Sequence, residues 1–199
     1  MRPFSAALLA GSAAAAPCAP AQFWVNYAES PSSMRVSWAT ACASASTVAY
    51  GTSPAALTQT VTGPAGAQYT APFYTSPFIH HATVTGLQLG TTYYYQVGDQ
   101  TSGLSAVMNF SSHPGTGAAM PHTFAIIGDP GQTANSASTF AHVSASSSDS
   151  VVIVGDLSYA DSDQPRWDSF QALIAPLTAH LPTMVMVGVR WRAGNRVRC

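Results

Sequence analysis

The chain has 199 residues, 47% of them hydrophobic and only 8% charged, with a net charge of −1 at pH 7. That balance excludes a disordered polyelectrolyte and argues against nucleic acid as a partner. The length admits one large domain or two small ones. Residues 1–18 read as a secretory signal. MRPFSAALLAGSAAAAPCAP carries Arg2 near its start, an apolar run from Phe4 to Ala16 and small residues ahead of Pro17, the order a signal peptidase requires. The run is too short to span a bilayer and no later segment is long enough, so a secreted protein without a membrane span is expected. Of the three cysteines, Cys18 and Cys42 are free to bridge in an oxidising compartment, and the odd count leaves a thiol over. No CxxC spacing points to structural zinc.

Residues 19–112 follow a period of two. In MRVSWAT, Met34, Val36 and Trp38 share one face, with Arg35, Ser37 and Ala39 on the other. In TTYYYQVGD, Tyr93, Tyr95 and Val97 alternate with Tyr94 and Gln96. Short alternating strands punctuated by Gly, Pro, Ser and Thr predict an antiparallel β-sandwich. Trp38 is then a core anchor and one of the tyrosines a corner hydrogen bonder. His80 and His81 read as half-exposed strand positions, with a paired metal site as the alternative.

SSHPGTGAAMPHT has two prolines and two glycines without periodicity, so 113–122 reads as a linker. The order after it is strand (123–129), helix (134–147), strand (150–156), helix (166–181) and strand (183–188). Pro176 is expected to kink or split the second helix. Alternation of this kind gives a parallel sheet with right-handed crossovers. Such a sheet wants helices on both faces, and two helices can hardly supply them.

TFAIIGD and SVVIVGD each end in Gly-Asp, and Tyr159 follows three residues after the second. Neighbouring parallel strands bring Asp129 and Asp156 to one rim, where open α/β sheets bind their ligands. Two carboxylates close together repel, and each pays for desolvation; a multivalent cation resolves both costs. Two carboxylates and a phenol make an all-oxygen set suited to a hard ion such as ferric iron. The competing reading makes both aspartates helix caps in strand-ending turns.

IIGDPGQT and VVIVGDLSYAD resemble the first two signature blocks of the purple acid phosphatases, a family of dinuclear metallophosphoesterases. MRVSWAT, YGTSPAALTQT, FIHHATVTGL and GTTYYYQVGD resemble their fibronectin-III-like N-terminal domain. The resemblance runs from about residue 20 to Gly188. It implies a multi-domain chain: a fibronectin-III-like antiparallel β-sandwich, then an incomplete α/β metallophosphoesterase domain (βαβαβ) over 123–188. It further implies that Asp129 binds Fe(III), that Asp156 bridges both metals, and that Tyr159 is the phenolate whose charge transfer colours the enzyme. The second ion in the family is Zn, Mn or Fe(II), and the substrate is a phosphomonoester. Two cations stabilise the attacking and leaving oxygens and lower the pKa of bound water.

The family's third block, Gly-Asn-His-Glu or Gly-Asn-His-Asp, should follow TMVMVG. Here Val189, Arg190 and Trp191 follow Gly188 instead, and Asn195 lies in no recognisable motif. Residues 189–199 therefore read as unrelated sequence from a frameshift, a missed splice or an erroneous gene model, although their four arginines also admit a basic tail. Two functions stay open: an acid phosphatase by descent, incomplete and inactive as this chain, or a secreted non-catalytic binding module carrying a vestigial half-domain. The leader gives the first prediction. Mass spectrometry of secreted protein should show cleavage between about Ala14 and Ala19, and a mature form still starting at Met1 would refute it.

Overall fold

The computed structural model describes residues 18–115 and 121–188. The proposed leader up to residue 17, the middle of the linker and the arginine-rich tail lie outside the described residues. Ten strands come first: β1 (Ala21–Tyr27), β2 (Met34–Thr40), β3 (Thr47–Gly51), β4 (Gln59–Thr62), β5 (Thr70–Ala71), β6 (Tyr74–Thr75), β7 (Phe78–Val84), β8 (Thr92–Asp99), β9 (Gly103–Leu104) and β10 (Met108–Ser111). They form two antiparallel sheets, ordered β1-β2-β7 and β10-β8-β3-β4, with β9 paired to β8 and β5-β6 a separate hairpin. The two sheets share one core.

The alternation explains that core. Met34, Val36 and Trp38 of β2 face Tyr93, Tyr95 and Val97 of β8, and all six are buried. Tyr93 is the corner residue: its hydroxyl accepts the amide of Gln88 at 3.0 Å. Cys18 and Cys42 are joined by a disulfide with a Cα–Cα distance of 5.4 Å.

The histidine pair departs from expectation. His80 is fully buried, stacked on Trp38 at 5.2 Å. Its two ring nitrogens meet Thr40 Oγ1 at 2.7 Å and Ser46 Oγ at 2.9 Å, and burial holds its pKa below the ordinary histidine value. Only His81 is exposed, with Nδ1 2.8 Å from Ser37 Oγ. Successive strand residues point to opposite faces, so the two imidazoles cannot share an ion.

Beyond the linker come β11 (Phe124–Ile127), α1 (Ala134–Ser144), β12 (Ser150–Val154), α2 (Pro165–Thr178) and β13 (Thr183–Met186). The strands pair in parallel in the order β11-β12-β13, with Ile127 opposite Ile153 and Ile153 opposite Val185. Pro176 does not split the second helix. It lies in the last turn of a single helix that runs to Thr178. Both helices cover the same sheet face, where Phe140, Phe170, Ile174 and Leu177 bury Ile127, Val151 and Ile153. Among the described residues nothing covers the opposite face, with Ile126 69% and Met186 59% exposed.

Helix α2 also closes the junction with the sandwich. Thr178 Oγ1 donates to the Phe23 carbonyl at 2.5 Å, and the indole of Trp24 donates to Gln171. The fully buried Tyr95 reaches through the core to donate to the Ala179 carbonyl at 2.7 Å. No helix among the described residues is long and apolar enough to cross a membrane. Replacing Tyr95 by Phe leaves that helix-terminal carbonyl buried and unpaired, at a cost of about 1–3 kcal/mol. Chemical denaturation should show this loss with an unchanged m-value; an unaltered midpoint would mean that the junction does not depend on the bond.

Candidate metal centre at the strand ends

Because β11 and β12 run in parallel and in register, their C-terminal loops leave the sheet side by side. Asp129 follows β11 and Asp156 follows β12. The two Gly-Asp pairs are not equivalent. Gly155 has φ +91°, and a Cβ there would lie 2.8 Å from Gly188 Cα, beyond the end of β13. A Cβ on Gly188 would in turn run into the Asp156 carboxylate and amide. Two bare backbones are therefore needed where the β12 and β13 ends meet. Gly128 has no such constraint: its Cβ would make an ordinary 3.4 Å contact with Val154.

The loops are held in an unusual conformation. Asp129 (φ +48°), Asp156 (φ +46°), Tyr159 (φ +49°), Asp161 (φ +49°) and Ser162 (φ +76°) all occupy the left-handed region. Aspartate tolerates that region; tyrosine does so at about 1–2 kcal/mol. Strained residues of this kind collect where surrounding structure over-determines them, which is characteristic of functional sites.

Neither aspartate caps a helix. Thr133 caps α1 in a reciprocal box with Ser136, and Gln164 precedes α2 without a side-chain cap. The helix-cap alternative is thereby removed. Asp129 instead shares a cleft wall with the half-exposed phenol of Tyr159, with Asp156 and Asp161 near enough for their charge to act on it. Partial desolvation pushes its pKa above the ordinary value, and the negative charges of Asp129, Asp156 and Asp161 push in the same direction. A cation among these oxygens would outweigh the neighbouring negative charges and favour the phenolate.

A cleft of about 460 Å³ opens beside this cluster, lined by Asp129, Tyr159, the first turn of α1 and Arg166. Asp156 does not line it and sits on the β13 side, against Gly188. Among the described residues no three His, Cys, Asp or Glu side chains converge on one point. The oxygen set is therefore partial. It fits part of the shell of one hard ion. Sequence reasoning passed over Asp161 and Arg166, although Asp161 is only two residues beyond Tyr159 in LSYAD.

Residues 20–112 match the model of the purple acid phosphatase N-terminal domain. Over 143 residues the chain is 41% identical to purple acid phosphatase 22 of Arabidopsis thaliana, covering 72% of this chain and 31% of that protein. The chain belongs to the purple acid phosphatase family and matches its N-terminal portion. It is also 38% identical over 128 residues to a protein named Fe(3+)-Zn(2+) purple acid phosphatase 12, from the same plant, covering 61% and 26% of the two chains. The fold is similar to that of purple acid phosphatase PPD1 from yellow lupin seeds, with a TM-score of 0.72 at 21% identity, over 89% of this chain and 37% of the other. The chain thus spans about a third of the length of the relatives it matches.

The unequal glycines give a direct test of the strand-end geometry. Gly155→Ala should destabilise the chain by about 2–4 kcal/mol through a forced positive φ and a backbone clash, whereas Gly128→Ala should cost less than about 1 kcal/mol. Thermal unfolding of the two variants should separate them clearly. Equal effects would contradict the close approach of Gly155 and Gly188.

Proposed function

We propose that the chain is part of a purple-type acid phosphatase that acts on phosphomonoesters. In this reading 19–112 is the fibronectin-III-like sandwich, 113–122 the linker and 123–188 the opening βαβαβ unit of a metallophosphoesterase domain. Asp129 and Tyr159 would hold a ferric ion, and Asp156 would be shared between it and a divalent ion, Zn, Mn or Fe(II). When bound, the two ions supply a nucleophile at acidic pH and neutralise charge on the transferred phosphoryl group. The observation that carries this is that Asp129 and Tyr159 line one cleft at the ends of adjacent parallel strands, with Asp156 beside it. The relative whose name specifies Fe(3+)-Zn(2+) supports the choice of ions. The Cys18–Cys42 bridge supports export, provided that the leader is cut ahead of Cys18 so that this cysteine is kept.

The protein's own residues do limited work in this scheme. Asp129 would supply negative charge within the cleft and Asp156 beside it on the β13 side, and Tyr159 would supply an oxygen that loses its proton to a bound cation's pull. Arg166, on the cleft wall, offers a forked donor to a phosphate. Among the described residues the end of β13 contributes only Gly188 to this site, and no ligands for a second ion are found. The 199-residue chain is therefore proposed to be catalytically inert. Each 1.36 kcal/mol of lost transition-state stabilisation is a factor of about ten, and a missing metal forfeits several such units.

One observation favours the second reading, a non-catalytic binding module. A cleft of about 420 Å³ lies between the outer face of β1-β2-β7 and α2, lined by Trp24, Tyr69, Tyr74 and Trp167 with Asp168 and His81.

Loading the chain with Fe(III) and Zn(II) distinguishes the readings. A tyrosinate-to-iron absorption band should appear, vanish in Tyr159→Phe and lose its iron in Asp156→Asn, while an aryl phosphate at acidic pH is not turned over above background. Absence of iron binding by the unsubstituted chain would favour the binding module. Turnover abolished by Asp156→Ala would overturn the inertness.

A further inference from the structure

We infer that Gln132 is a positioning residue that brackets the Asp129 loop against the Tyr159 loop. This rests on the proposed metal role of those two residues, but the geometry stands by itself. Gln132 follows Asp129 by three residues, in DPGQT. Its Nε2 donates to the carbonyl of Ser158 at 2.9 Å and to the carbonyl of Arg166 at 2.9 Å. Its Oε1 accepts from the hydroxyl of Ser169 at 2.6 Å. Both amide hydrogens and a lone pair are thus used, and one side chain ties three segments: the β11–α1 loop, the β12–α2 loop and the first turn of α2.

The bond to Ser158 matters most. The φ angle of Tyr159 measures rotation relative to the peptide plane shared with Ser158. Anchoring the Ser158 carbonyl therefore fixes the plane from which Tyr159 takes φ +49°. The hydroxyl of Ser158 is buried without a partner and gives no help. A single backbone bond, from Gly131 N–H to the Leu157 carbonyl at 2.9 Å, runs beside the bracket and joins the same two loops. A hydrogen bond and the strain of one left-handed residue are similar in size, so losing the bracket lets the Tyr159 loop relax. The phenol then leaves the carboxylates that would share its cation.

The bracket predicts a spacing requirement as well as a chemistry. A donor amide is needed, because both main partners are carbonyls. Gln132→Met keeps the unbranched shape and loses every bond; Gln132→Glu keeps the shape and the Ser169 bond but cannot donate to either carbonyl. Ser169→Ala removes only the accepting bond.

Amide hydrogen exchange on the 199-residue chain tests this without metal. Exchange of Gly131 should accelerate roughly tenfold in Gln132→Met and Gln132→Glu, the equivalent of one lost hydrogen bond. It should stay within about twofold in Ser169→Ala, and the amides of β2 and β8 should report an intact sandwich throughout. Unchanged Gly131 exchange in both Gln132 variants overturns the bracket. With Fe(III) added, the tyrosinate band should weaken in Gln132→Met; a band of full strength there overturns the positioning role. If the unsubstituted chain shows no band but Gly131 still responds, the bracket is supported and the iron assignment fails.

Discussion

Helix α2 is the wall on which both halves of the molecule depend. One side of it buries Phe170, Ile174 and Leu177 against the parallel sheet. Its C-terminal end takes the hydroxyl of Tyr95 at the Ala179 carbonyl and gives the hydroxyl of Thr178 to Phe23. Ala179 thereby joins the sandwich core rather than the smaller one. A three-stranded sheet with two helices buries too little apolar surface to offset its own ordering entropy comfortably. Docking on a preformed sandwich reduces that deficit, because β1 supplies a surface that needs no further folding.

The same docking accounts for the tolerance of strain at the strand ends. Five non-glycine residues between Asp129 and Ser162 hold positive φ, and such a run persists only where neighbours leave no alternative. The N-terminal end of α2 provides those neighbours. The Arg166 carbonyl accepts from the Gln132 amide nitrogen and the Ser169 hydroxyl donates to the Gln132 oxygen, while Asp168 accepts from the Tyr74 hydroxyl of the sandwich at 2.8 Å. The sandwich thus grips the helix, the helix grips Gln132, and Gln132 grips the loops. Stability built far from the cluster is spent on its geometry.

The legible features were those with a short period or a local motif. Alternation at Met34–Val36–Trp38 and Tyr93–Tyr95–Val97 gave both sheets, and the repeated Gly-Asp gave the rim. The period of two did not reveal that His80 is buried, because Thr40 and Ser46, far away in sequence, make its burial affordable by engaging both ring nitrogens. Pro176 was misread because its damage depends on position: a proline in the last turn removes one hydrogen bond without leaving a following helix to kink. The cap reading of the aspartates fails because Thr133, directly before the helix start, caps α1, and α2 begins after Gln164 with no side-chain cap at all. The role of Gln132 was beyond sequence reasoning, since its partners lie 26 to 37 residues away.

The bare face of the parallel sheet follows from the same rules that built the covered one. Right-handed crossovers that step in one direction place every helix on one side. The order β11-β12-β13 steps in one direction, and α1 and α2 do share a face. Phe124, Ile126, Met184 and Met186 are left on the other, alongside a strand edge at β13 that has no partner among the described residues. A third helix added by another step in the same direction would join the first two, so extending this pattern never covers that face. Only chain that reverses direction, or a second layer, can do so. Until it is covered, exposed apolar side chains beside an open edge favour self-association over solution. The sandwich, with both inner faces closed on one core, carries no such penalty.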